Sequence, residues 1–243
     1  MTLIVAIGCS DGVILASDSC STDNENRTKQ PVGKIYRIPG QPILWGGSGD
    51  GGLIGLIGES LEGCPARPSL KAARKEFKSR IVPEQREALK DYVPYPNTQP
   101  PSATILLAGF QEGKPWILEV SRSGGDTSYG EAYGYFAAIG SGGTFAHATF
   151  RPHLMKERDL QAGKLHAFRI IDDAIEIAHY GLDRPIQIHT VSADESVVLV
   201  PPEELNGIKD TCEIWRNLER ETVGRALAPD PNREEPAEEI PTP

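Results

Sequence analysis

The segment TLIVAIGCSDGVILASDS, residues 2–19, decides the fold of this chain. Thr2 to Ile7 is a β-branched apolar run that reads as a buried strand. Ser10-Asp11-Gly12 is a tight-turn signal, and Val13 to Ser17 is a second apolar run, so the chain opens as a β-hairpin.

Working outward, Ser21 to Gln30 is polar and reads as a loop. Lys34 to Ile38 and Pro42 to Trp45 flank a turn at Pro39-Gly40, a second hairpin. A Gly-rich turn at 46–49 then leads into an amphipathic helix over about Asp50–Leu61. Residues 69–92 are charged and helix-prone, with Pro83 expected to interrupt them. Strands are expected over Ala103–Phe110, Trp116–Ser121 and Tyr133–Ile139, then a helix from near Thr144. Leu165, Phe168, Ile171 and Ile175 recur at helical spacing, which predicts a helix over Lys164–Tyr180. Ile186–Val191 and Val197–Val200 read as late strands, and Pro201 to about Leu227 as a last helix. Hairpins alternating with helices give an α+β layered fold, one domain over residues 1–227. Residues 228–243 hold five acidic residues and five prolines without an aromatic, a composition expected to stay disordered.

Composition narrows the function. The net charge of −9 over 243 residues argues against nucleic acid as a partner. No apolar run reaches the ~18 residues of a membrane span, and no signal-peptide pattern opens the chain, so a cytoplasmic protein is expected. Four cysteines at wide spacing and five histidines without a ligand motif give no metal site and no cofactor. Gly47, Gly49 and Gly52 match GxGxxG, but hairpins precede them instead of a parallel βαβ unit, so a dinucleotide site is not expected.

Three residues carry the chemistry: Thr2, Asp18 and Lys34. A Thr hydroxyl is a weak nucleophile at neutral pH and needs an adjacent base. A free α-amino group titrates near ~8 and can be that base on the same residue. This requires Thr2 to be the first residue, and removal of Met1 before a small residue would supply that.

Residues 2–19, Lys34 within Gly33-Lys34-Ile35, and Ile139-Gly140-Ser141-Gly142-Gly143-Thr144 resemble proteasome β-type subunits and their bacterial relatives, which are N-terminal-nucleophile (Ntn) hydrolases. The resemblance implies a four-layer αββα sandwich of two antiparallel sheets. It implies Thr2 as the nucleophile of amide-bond cleavage, Lys34 lowering the pKa of its hydroxyl, and Asp18 holding Lys34. It places a backbone oxyanion donor at Gly46 or Gly47, and Ser141 on the terminal amine. It further implies a P1 side-chain pocket lined by Ser21, Val32, Tyr36, Leu44 and Ser48, which is apolar to small and uncharged. The family's Arg-Asp pair and following Ser-Gly are absent after the long helix, where Ala178 to Pro185 put Gly181 or His179 at the Asp position and Leu182 or Asp183 at the Ser position. Asp183 is the candidate substitute. Cys20 stands where many relatives carry a basic residue. The implied substrate is a peptide or unfolded protein, and the implied assembly a homo-oligomer of at least six subunits, with any ATPase or regulator unspecified. The alternatives are a non-catalytic ring subunit, against which the absence of an extra N-terminal helix speaks, and an Ntn enzyme of another acyl transfer.

Overall fold

The computed structural model describes residues 2–22, 29–65, 70–94, 99–150, 158–178 and 181–227. The candidate tail 228–243, His153 and His179 lie outside them. In chain order, β1 (Ile4–Cys9) and β2 (Gly12–Ser17) form the opening hairpin, and β3 (Cys20–Thr22) pairs with β4 (Lys29–Pro31). Next come β5 (Ile35–Arg37), β6 (Ile43–Gly49), α1 (Gly51–Glu62) and α2 (Leu70–Lys90). They are followed by β7 (Ala103–Gln111), β8 (Lys114–Val120), β9 (Asp126–Ser128) and β10 (Phe136–Ile139). The chain ends with α3 (Gly143–Thr149), α4 (Leu160–Ala178), β11 (Gln187–Ser192), β12 (Val197–Leu199) and α5 (Pro202–Leu227).

Two five-stranded antiparallel sheets result, ordered β10-β1-β2-β11-β12 and β5-β6-β7-β8-β9. Their facing sides interdigitate through Ile4, Ala6, Val13 and Leu15 on one sheet and Leu44, Leu106, Ala108 and Ile117 on the other. The odd positions of β1, Val5 and Ile7, point the other way, with Leu3, into a second core built with Phe168, Ile171 and Ala174 of α4 and Cys212 of α5. The outer face of the second sheet packs Trp45, Ile105 and Leu107 against Leu53 and Ile57 of α1 and Phe77 and Ile81 of α2. The layers therefore run helices, sheet, sheet, helices, the αββα sandwich. β1 is buried throughout because it is a central strand with a core on either side.

Four local expectations are corrected. The ends of the stretch read as a loop, Cys20–Thr22 and Lys29–Pro31, pair as a two-stranded ribbon. The Gly-rich stretch 46–49 is not a turn: it continues β6 and stays in register with Ala103–Leu106 of β7. Pro83 does not interrupt α2. It lies on the exposed side, while Ala73, Phe77 and Ile81 and the Gln85 amide, bonded to the Ala103 carbonyl at 2.8 Å, hold the opposite side down. Tertiary packing thus outweighs the lost backbone bond. Lastly, Glu131–Tyr133 is a 3-10 turn, and β10 starts only at Phe136. The start of α1 follows local rules: Asp50 accepts from the Leu53 amide at 2.9 Å, an N-cap worth about 1 kcal/mol.

Candidate active site

Antiparallel pairing of β1 with β2 sets Ile4 opposite Ser17, so the residues just outside each strand, Thr2 and Leu3 on one side and Asp18 and Ser19 on the other, lie side by side. The Asp18 amide donates to the Leu3 carbonyl at 3.2 Å, and the Leu3 amide returns a bond to Asp18 Oδ1 at 2.8 Å. Lys34 comes from the other sheet, one residue before β5. Its Nζ donates to Oδ1 at 2.8 Å and to Oδ2 at 2.9 Å. Oδ2 also accepts from the Cys20 amide at 3.0 Å. The carboxylate thus receives four bonds, which fills its acceptor capacity. That matters because Asp18 is fully buried and Lys34 is only 8% exposed. A buried charge pair offsets its desolvation only when its remaining valences are met. Cys20, at the position that is basic in many relatives, acts through its main chain, and its own side chain is buried.

The loop between β10 and α3 closes the other side of Thr2. Gly140 has φ of +92°, and a Cβ there would sit 2.1 Å from the Thr2 carbonyl oxygen, so only glycine fits. The Gly142 amide donates to that carbonyl at 3.2 Å. The Thr2 nitrogen donates to Ser141 Oγ at 3.3 Å. Ser48 of β6 comes to the same place: its Oγ lies 3.1 Å from where a Gly140 Cβ would stand. Thr2, Asp18, Lys34, Ser141 and Ser48 are therefore gathered at one end of the sandwich, at the mouth between the sheets.

The two candidate oxyanion glycines face opposite ways. A Cβ on Gly46 would meet the Lys34 carbonyl at 2.7 Å and Ile4 Cδ1 at 2.9 Å, so Gly46 faces the space between the sheets beside the Lys34 backbone. Gly47 packs instead under Ile54 of α1. β5 pairs with β6 only up to Ile35 opposite Gly46.

Of the expected P1-pocket residues, Ser48 is at the site, while Leu44 and Tyr36 lie on opposite faces of their sheet. Leu44 is fully buried in the core between the sheets. Tyr36 lies on the opposite face of its sheet, stacked on Trp45 with centroids 4.7 Å apart, and is part of the lining of a cavity of about 370 Å³ against α1. Val32 is half-buried and bonded through its amide to the Ser19 carbonyl at 2.8 Å. Ser21 is in β3, and its side chain lies outside the described part.

Asp183 reaches the site by its main chain: its carbonyl accepts from the Ser19 amide at 3.1 Å. Its exposed carboxylate accepts from the Arg184 amide at 2.9 Å. Leu182 beside it is buried, with Cδ1 only 3.1 Å from where a Gly142 Cβ would stand. Sequence reasoning passed over Ser19, which is fully buried and whose hydroxyl donates to the Pro185 carbonyl. The Ser that follows Asp18 in the quoted opening motif was its only signal. Among the described residues no three His, Cys, Asp or Glu side chains come together to hold a metal ion, and no helix is long and apolar enough to cross a membrane.

Comparisons with known proteins agree with the fold and give its family. Over 178 residues, 72% of this chain and 81% of the relative, the sequence is 25% identical to proteasome subunit beta 1 of Thermococcus gammatolerans. The structure superposes on a mutant of Anbu from Hyphomicrobium sp. strain MC1 with a TM-score of 0.69 at 13% identity, covering 97% of this chain and 99% of that one. It superposes on a chain of the helical assembly of the Anbu complex from Pseudomonas aeruginosa with a TM-score of 0.71 at 15% identity, covering 96% and 100%. These likenesses establish the two-sheet fold. Residues 2–185 match the proteasome subunit family, and with that match spanning most of its length the chain belongs to the proteasome-type Ntn hydrolase family.

Proposed function

We propose that the protein is an N-terminal-threonine peptidase. The observation that supports this is the Asp18 carboxylate, which binds the Leu3 amide and the Lys34 ammonium through one oxygen and so fixes a cation beside Thr2. The reading requires Thr2 to carry a free amine, reached by removal of Met1. The amine then accepts the proton of the Thr2 hydroxyl as Oγ1 attacks the carbonyl carbon of the scissile amide. Negative charge on the carbonyl oxygen is met by a backbone N–H at Gly46 or Gly47, and Gly46 is the one that borders Lys34. The intermediate collapses with the proton passing to the departing amine, leaving an ester on Thr2. Water, deprotonated by the same amine, cleaves the ester and releases the carboxylic acid. Ser141 orients the amine through the contact it already makes to the Thr2 nitrogen.

The substrate in this reading is a peptide or unfolded protein segment, and the working form a cytoplasmic homo-oligomer of at least six subunits. The helical assembly of the Anbu neighbour supports oligomerisation, as does α5, which exposes Ile214, Leu218 and Val223. Leu182 against Gly142 favours a second reading. The resemblance puts the family's Ser at Leu182 or Asp183, and a buried leucine there supplies no hydroxyl, which suits a slow acyl-transfer enzyme or a scaffold subunit of the same fold.

The test is intact mass of the purified protein followed by hydrolysis of fluorogenic peptides with apolar P1 residues, for the wild type and Thr2→Ala. Loss of Met1 and turnover abolished by Thr2→Ala are expected. Turnover that survives Thr2→Ala, or its absence from wild type whose mass begins at Thr2, overturns the peptidase reading and leaves the scaffold.

A further inference from the structure

We propose that Arg184 is a positioning residue for the Asp18–Lys34 pair, acting through Ser19; the inference rests on the peptidase reading of that pair. Ser19 ties together three pieces of chain. Its amide donates to the Asp183 carbonyl at 3.1 Å, its hydroxyl to the Pro185 carbonyl, and its own carbonyl accepts from the Val32 amide at 2.8 Å. Asp18 is its immediate neighbour, and Val32 stands two residues before Lys34. The Val32 carbonyl in turn accepts from the Gln187 side chain at 3.2 Å. The segments that deliver the carboxylate and the ammonium, one from each sheet, are therefore both fastened to residues 183–187.

Gln187 is held by the β11–β2 ladder and Ile186 by the core, and an ion pair from Arg184 ties the 183–185 end to α4. The Arg184 guanidinium bonds Asp172 Oδ1 in the middle of α4, with Glu176 of the same helix at 3.6 Å. Asp172 is 2% exposed, and its other oxygen is held by Arg216 of α5 at 2.8 Å. Arg216 is itself braced by Asp173. The anchor end of the clamp is thus doubly held, whereas Arg184 is half-exposed and gives the loop near the site a charged link to α4. The guanidinium holds this fixed carboxylate through one nitrogen, a charge-assisted bond that ties the loop to α4. Small displacements of catalytic groups cost rate steeply while leaving binding contacts in place.

Arg184 is also the residue to test, because its removal leaves Asp172 paired with Arg216 and opens onto water. In Arg184→Ala, kcat on a fluorogenic peptide is expected to fall about tenfold, with KM within twofold and the melting temperature within a few degrees. Arg184→Lys is expected to recover part of kcat. Hydrogen exchange at the Ser19 and Val32 amides should quicken in Arg184→Ala, while exchange at Val5 and Ala6 in the strand interior stays as in wild type. Unchanged kcat with unchanged exchange at Ser19 and Val32 overturns the proposal. So does a loss that falls equally on KM, or one matched by a collapse of the melting transition; if Arg184→Ala does not fold, Arg184→Lys must show the kcat loss on its own. The exchange measurement needs no turnover. Absent wild-type activity with faster exchange at Ser19 therefore sinks the peptidase reading and leaves the clamp standing.

Discussion

Asp18 holds Lys34 with both carboxylate oxygens, at 2.8 and 2.9 Å, across the gap between the two sheets of the sandwich. The pair is a structural bolt as well as a candidate catalytic unit, and the two roles come apart experimentally.

Asp18→Asn leaves the Lys34 ammonium buried without its counter-charge. A loss of about 3–5 kcal/mol in unfolding free energy is expected, measured by urea denaturation, together with loss of peptide turnover by orders of magnitude. Adding Lys34→Met to Asp18→Asn removes the buried ammonium as well and is expected to regain most of the stability and none of the turnover. A double variant as unstable as the single one would show that the bonds from Leu3 and Cys20 matter more than the charge.

Two glycines of the same region predict opposite outcomes. Gly46→Ala drives a methyl to within 2.7 Å of the Lys34 carbonyl and 2.9 Å of Ile4, so a loss of about 1–3 kcal/mol is expected, with turnover reduced. Gly55, in α1, has open space around its Cβ position, and Gly55→Ala is expected to stabilise by about 0.5–1 kcal/mol with turnover unchanged. Chemical denaturation of both variants checks the pair of signs.

His166 gives a pH signature. Burial, with Arg158 and Arg169 adding repulsion, lowers its pKa to about 4, and the ring packs edge-on to Trp215. The folded form keeps His166 neutral, whereas the unfolded chain takes up the proton below about 6.5. The stability it contributes is present above 6.5 and is lost as pH falls toward 4. His166→Phe is expected to flatten the fall in melting temperature over that window. The difference in slope integrates to about 1–2 kcal/mol once the ring's partial exposure is allowed for. Parallel melting curves of variant and wild type between pH 6.5 and 4 would contradict this.

The thiols should be inert in the native state. Cys9, Cys20, Cys64 and Cys212 are all buried and unpaired in disulfides, and burial pushes Cys9 to about 12 and Cys212 to about 11. Thiolate is the reactive form, so a disulfide reagent at pH 8 is expected to label the folded protein slowly and all four cysteines after denaturation. Rapid native labelling of one thiol would mark a local opening.

The pattern of hairpins and helices reached only a layered α+β fold; the αββα order came from the family resemblance of the opening motif, and the structure gives its physical basis, since β1 and β2 are apolar on both faces and lie between two cores. Thr2, Asp18, Lys34 and Ser141 were singled out through the resemblance of the motifs that carry them; β1–β2 pairing explains why Thr2 and Asp18 adjoin, but Lys34 arrives from the other sheet, where no local pattern announces it. What escaped depends on distant partners. β9 is three polar residues at a sheet edge, held by its ladder to β8 and by Asp126 bonding Arg74 and Lys78 of α2, and no periodicity announces it. Ser19 was overlooked because its partners are carbonyls of residues 183 and 185, on the far side of the sequence. Pro83 misled because the argument from its missing N–H is local, while Phe77 and Ile81 anchor the helix from the opposite face.

Thr2 stands at the head of a strand that is completely buried, and the cation beside it arrives from the opposite sheet. A nascent or half-folded chain therefore carries the threonine without its surroundings. In the peptidase reading, the chemistry proposed for Thr2 is withheld until the two sheets have closed on each other, so the fold doubles as a safety catch.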